Sequence, residues 1–139
     1  MLLIWNRLKA KEKTIYTIIL FLFSTSINQY YGYQGLNPID SFFSFNSGYD
    51  ISKGYLPFRD YWTITGPFIA LTQSLLFKIF GVSWSTYVMQ ASLFNFIIVI
   101  TTFYTLYKFK LNVHYCFIYS LLVSIISYPS VGTPYVDHH

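Results

Sequence analysis

Apolar residues gather into three long runs and one short run, each closed by polar, glycine or proline residues. The first covers residues 14–29 and closes on Tyr30, Tyr31 and Tyr33; the second covers 85–107 and the third 113–128, just before Pro129. Each is continuous rather than alternating, near or above the roughly 17-residue lower limit for a helix that crosses a bilayer. The shorter run, residues 67–80, has the length of an interfacial or re-entrant helix. Pro67 suits its first turn and Gly81 its C-terminal stop. Between the first run and this one, Asp40 stands as an N-cap before an amphipathic helix. Phe42, Phe45 and Tyr49 share one face of it by three-four spacing, and Gly54 ends it. Pro57 disfavours helix in the residue before it, so residues 55–62 read as loop. The pattern predicts an all-α membrane protein: three transmembrane helices (about 14–31, 85–107 and 113–128) and an outer loop, 32–84, containing the amphipathic helix and the interfacial helix 67–80.

Composition agrees with that pattern. Hydrophobic residues make up 54% of the chain and charged residues 10%, where a soluble domain carries roughly a quarter charged. The net charge of +4 is not a nucleic-acid signal, because the basic residues sit at the ends of the apolar runs. Arg7, Lys9, Lys11 and Lys13 precede the first run, and Lys108 and Lys110 follow the second. The positive-inside rule then places both clusters on the cytoplasmic side. This works if the first span goes out, the second returns and the third goes out again, with residues 67–80 not crossing. The expected location is the plasma (inner) membrane, with the N-terminus cytoplasmic. A cleaved signal peptide is disfavoured, because no small-x-small site follows the first run. The single cysteine, Cys116, lies in an apolar run and reads as a small core residue.

The candidate chemistry lies in the outer loop. Asp40 follows the first span closely enough to act as a general base on a hydroxyl held at the membrane surface; helix N-capping is the structural alternative. Asp60 and Arg59 adjoin in a proline-bounded aromatic loop. Asp60 is placed to orient an acceptor or assist Asp40, and Arg59 to grip a phosphate, unless the two simply brace the loop. Tyr61 and Trp62, with Tyr55 and Trp84, suit stacking on a sugar ring or prenyl chain, or anchoring at the interface. Asp50, three residues before Lys53, reads as a surface pair. Asp137, His138 and His139 follow the third span and form a weak candidate metal or proton-transfer group. Gln90, Asn95 and Thr102 in the second span read as helix-to-helix hydrogen-bonding groups, and His114 as structural.

These parts, in this order, resemble the N-terminal region of a polytopic GT-C glycosyltransferase of the protein mannosyltransferase and aminoarabinose transferase type. The resemblance covers roughly residues 14–107. It rests on an aspartate early in the first outer loop (Asp40) and on the segment Ser-Lys-Gly-Tyr-Leu-Pro-Phe-Arg-Asp-Tyr-Trp. A helix led by Gly-Pro and ending Ile-Phe-Gly-Val-Ser comes next, and a full span follows. Ser41 stands where several members have a second acid, and Thr65-Gly66-Pro67 where Lys-Pro-Pro is frequent. The resemblance implies transfer of a sugar from a polyprenyl-phosphate donor to a hydroxyl acceptor at the outer membrane face, with Asp40 as the catalytic or acceptor-binding acid. It implies membrane lipid and lipid-linked sugar as partners, no nucleic acid, and no certain cofactor beyond the donor. A divalent metal is left open. Family members have many more spans, so the chain is expected to be the N-terminal part of a longer enzyme and inactive alone. Two rivals stand beside this reading: part of a transporter or flippase for lipid-linked sugars, and a small accessory membrane protein.

Overall fold

The computed structural model describes residues 2–34, 38–63, 66–127 and 132–134, the side chains of 2–10 and 38–41 excepted. Among the described residues the chain is all helical, with five helices and no strand: α1 (Leu2–Gly32), α2 (Pro38–Ser52), α3 (Pro67–Phe80), α4 (Trp84–Lys108) and α5 (Val113–Ser127).

α1 begins well before the apolar run at residue 14. Its basic head is rich in Leu, Lys and Arg, which are good helix formers, so the helix extends through it. α2 begins at Pro38, which suits a first-turn position. Asp40 therefore lies in the first turn of α2 instead of capping it. Gly54, at φ +99°, turns the chain away after α2. α3 has Pro67 in its first turn and Gly81 at its C-cap with φ 86°, donating to the Phe77 carbonyl. α4 is capped by Ser83, whose Oγ accepts from the Thr86 amide at 3.1 Å, satisfying one of the first-turn donors.

α4 runs antiparallel to α1 and to α5. Lys13 meets Tyr107 at one end, Phe21 meets Phe96 midway, and Asn28 meets Ser92 toward the other end. Leu20, Val99, Phe103 and Cys116 form the apolar core of this three-helix bundle, and Cys116 is fully buried there, as expected. At the far end Asn28 Nδ2 donates to the Gly132 carbonyl at 3.0 Å. Trp84 Nε1 donates to the Gly32 carbonyl at 2.9 Å. A Cβ at Gly132 would collide with the backbone of Gly32, so the two chains cross there without room for a side chain.

α2 and α3 form an antiparallel hairpin packed on the start of α4. The expected amphipathic face of α2 is corrected here. Phe42 and Tyr49 are largely exposed, and the buried line is Ser44, Ser47, Gly48 and Ile51. A Cβ on Gly48 would stand 2.7 Å from Gln73 Cγ. Small side chains let the two helix backbones approach closely, and bulky aromatics on that line would hold them apart. Phe45 alone of the expected aromatic face is half-buried, against Phe77, Trp84 and Tyr87. α3 folds back onto α4: Gln90 Nε2 donates to the Ile69 carbonyl at 3.0 Å and meets Thr72 Oγ1.

By length and composition α4 is the one helix among the described residues long and apolar enough to cross a bilayer. α3 and α5 are apolar but shorter. α1 is longer but less apolar, because it takes in the basic head and ends in Asn28 and Gln29.

Candidate functional site

The loop joining α2 to α3 is held by its own polar groups. Asp60 Oδ2 accepts from the Leu56 amide at 2.7 Å and from Arg59 Nη2 at 2.7 Å, while Oδ1 accepts from Arg59 Nε at 2.9 Å. The Phe58 amide donates to the Tyr61 carbonyl at 2.8 Å, closing a tight turn. Phe58 sits at its apex with φ 65°, a left-handed conformation that is rare for a bulky residue. Tyr61 anchors the turn to α2 by donating its hydroxyl to the Ser47 carbonyl at 3.3 Å.

Electrostatics follow from these contacts. The hydrogen bonds from Arg59, and next the one from the Leu56 amide, hold the Asp60 carboxyl below its ordinary range. Asp60 in turn raises the Arg59 guanidinium. Burial pushes the Tyr61 phenol up. Asp60 is therefore a weak base that already accepts three hydrogen bonds, and Arg59 spends its planar fork on the neighbouring carboxylate. This arrangement suits a loop brace. The Arg59–Asp60 pair is the only ion pair among the described residues. The expected Asp50–Lys53 pair does not form, and the Lys53 ammonium lies 5.3 Å from the Tyr49 ring centre instead.

Asp40 is the third residue of α2, while the Asp60 loop lies beyond the last turn of that helix. The helix is roughly 20 Å long at 1.5 Å per residue, so the backbone of Asp40 and the Asp60 loop stand at opposite ends of it. Two residues on from Asp40, Phe42 lies 6.1 Å from Trp84, ring centre to ring centre. Trp62 is 75% exposed beside the brace. Asp137, His138 and His139 lie outside the described residues. Among the described residues no cluster of His, Cys, Asp and Glu could hold a metal ion.

The polar residues of α4 sort as expected for two of three. Gln90 bridges α4 to α3, and Asn95 Nδ2 reaches the Ser124 carbonyl of α5 at 3.2 Å. Thr102 bonds back to its own helix at the Ile98 carbonyl. His114 links helices as well: its Nδ1 stands 2.6 Å from the Tyr16 hydroxyl.

Sequence reasoning missed a second polar site, at the opposite end of the bundle. Glu12 and Lys13 of α1, Tyr107 of α4, and Lys110, Leu111, Asn112, Val113 and His114 line a cleft of about 610 Å³. The basic clusters were legible as topology signals, but their convergence on one cleft depends on how α1 packs against the α4–α5 turn. No family model, curated protein or solved structure matches this chain.

Proposed function

We propose that this chain sits in a lipid bilayer and forms the N-terminal part of a glycosyltransferase that uses a polyprenyl-phosphate sugar. The observation that carries the membrane reading is the inverted polarity of the helices. In α1, Ser24 and Asn28 are buried while Ile18 and Leu22 are exposed; in α4, Ser92 and Asn95 are buried while Leu93 and Ile97 are exposed. In α5, Ser120 and Ser124 are buried, and Ile118, Leu122 and Ile126 face outward, the last 79% exposed. In water, such apolar bands cost roughly 25 cal/mol per Å² and promote aggregation. In lipid they cost nothing, and small or polar residues become the natural helix-to-helix seam.

The disposition of charge supports the orientation. Lys13 and Lys110 gather at one end of the bundle, which the positive-inside rule assigns to the cytoplasm. The start of α2, with Asp40, lies at the other end beside Trp84, on the outer face of a plasma (inner) membrane. The contact at Gln90 lies six residues into α4, roughly 9 Å along its axis. On this reading the N-terminal half of α3 dips obliquely below the outer interface instead of lying flat in it.

The enzymatic reading is supported by the order of parts: a helix, a loop holding two short helices, then a long apolar helix. Asp40 serves as the base. It takes the proton from an acceptor hydroxyl as that oxygen attacks the anomeric carbon, and the bond from that carbon to the polyprenyl phosphate breaks with inversion. Arg59, paired with Asp60 beyond the far end of α2, stands outside this step. The acid–base work therefore falls to Asp40, while Tyr61 and Trp62, beyond the far end of α2, belong to the braced loop.

The test uses membranes carrying the gene in its native context, supplied with labelled polyprenyl-phosphate sugar. The expected result is release of polyprenyl phosphate, abolished by Asp40→Asn at unchanged expression. Full transfer by that variant refutes the assignment of the base. Binding of donor without release favours a transporter instead.

A further inference from the structure

We propose that the cleft at the lysine-bearing end of the bundle is a binding site for the phosphate of an anionic lipid headgroup. The lipid source rests on the membrane reading above; the phosphate chemistry rests on the cleft itself.

Three elements converge there. From α1, Lys13 lies with its ammonium 4.2 Å from the centre of the Tyr107 ring, a cation–π contact that holds the charge at the cleft wall. Lys110, from the turn after α4, also lines the cleft. It occupies a left-handed position, φ 64°, in the turn that closes α4, where its amide donates to the Tyr107 carbonyl at 3.0 Å and the Leu111 amide to the Leu106 carbonyl at 3.3 Å. Glycine is the residue most at ease in such a turn; here the position carries a lysine. From α5, His114 lines the cleft at the helix N-terminus. Its Nδ1 stands 2.6 Å from the Tyr16 hydroxyl, which ties the ring to α1 and leaves Nε2 outside that contact. Asn112 Oδ1 accepts from the His114 amide at 3.0 Å, which fixes the entry to α5.

Two lysines and a histidine thus line one volume of about 610 Å³, large enough for a phosphodiester headgroup. The one acid on the lining is Glu12, so the cations outnumber it and a phosphate oxygen is the complementary ligand. The cleft lies at the helix ends that the charge distribution assigns to the cytoplasmic leaflet. Basic pockets between membrane helices at that level suit acidic headgroups.

The experiment is native mass spectrometry of the purified full chain in detergent, with phosphatidylglycerol, phosphatidylcholine or inorganic phosphate added separately. The expected result is retention of phosphatidylglycerol over phosphatidylcholine, reduced about fivefold by each of Lys13→Gln and Lys110→Gly, the effect of one lysine near a charged lipid surface. Lys110→Gly removes the charge while easing the left-handed turn, so a loss of binding there is not a loss of fold. Lys53→Gln, which removes the same charge outside the cleft, should leave retention unchanged. Displacement of the lipid by inorganic phosphate identifies the same cleft with a free phosphate as its natural source; no displacement identifies the headgroup. Equal retention by the wild type, Lys13→Gln and Lys110→Gly overturns the site. Carbonate extraction of membranes scores the underlying reading separately. A chain that stays in the pellet yet shows no lipid preference loses the cleft alone, and a chain that washes off loses the lipid source.

Discussion

The two halves of the α1–α4–α5 bundle are built differently. Toward the lysine end, Leu20, Val99, Phe103 and Cys116 pack as an apolar core. Toward the other end the same three helices meet through Asn28, Ser92, Asn95 and Ser124, with Gly132 packed against Gly32. The first half is held by shape and dispersion, and the second by close backbone approach and amide hydrogen bonds. Their sensitivities differ accordingly. A filled apolar core fails when volume is removed, and a glycine-and-amide seam fails when volume is added.

The largest expected effect is in the apolar half. Phe103→Ala should lower stability in detergent by roughly 3–5 kcal/mol through the cavity it leaves, read by denaturant titration of helicity. Next comes Gly132→Ala, which adds a methyl at the crossing with Gly32 and at a left-handed φ of 64°. Roughly 1–3 kcal/mol is expected from overpacking, in the same titration; an equal or greater stability than wild type would end the contrast between the halves. Asn95→Ala removes one interhelical bond to the Ser124 carbonyl and should cost only about 0.6 kcal/mol, the average for such bonds in a membrane.

The smallest effect is local and lies outside the bundle. The Asp60 carboxyl is held below its ordinary range, so its bracing contribution is complete above the usual carboxylate pKa. It is lost as pH falls through the lowered value. Hydrogen exchange at the Leu56 amide should quicken, relative to an unbraced reference, only in that acidic window. Arg59→Gln should move the window upward, toward the ordinary carboxylate value. An unshifted window would mean that Arg59 does not hold the carboxylate in solution.

Much of the helical framework was legible along the chain. Pro67 and Gly81 bound α3 as expected, and α4 starts at Trp84, one residue before the expected 85, behind a Ser83 cap that was not read. Continuous apolar runs marked the bodies of α1, α4 and α5. The backward extension of α1 was missed because good helix formers continue past the point where hydrophobicity stops. The candidate site was legible in part. Arg59 and Asp60 adjoin in sequence, so their pairing was open to inference, but the Leu56 amide that completes the brace depends on the turn at Phe58. The separation of Asp40 from Asp60 follows from α2 running between them, and the lysine cleft follows from α1 reaching the α4–α5 turn.

The sequence by itself determined where helices run and stop, because run length, proline and glycine act on the local backbone. It also determined that the basic residues flank apolar segments. Which face of each helix turns inward was decided only by the tertiary structure. α2 carries serines, a glycine and aromatics around its circumference, and the Phe42, Phe45 and Tyr49 face that its spacing offers is not the one that is buried. The choice fell to Ser44, Ser47 and Gly48 because α3 approaches closely enough, at Gln73, to exclude larger side chains there. That distance belongs to the pair of helices and to neither one alone.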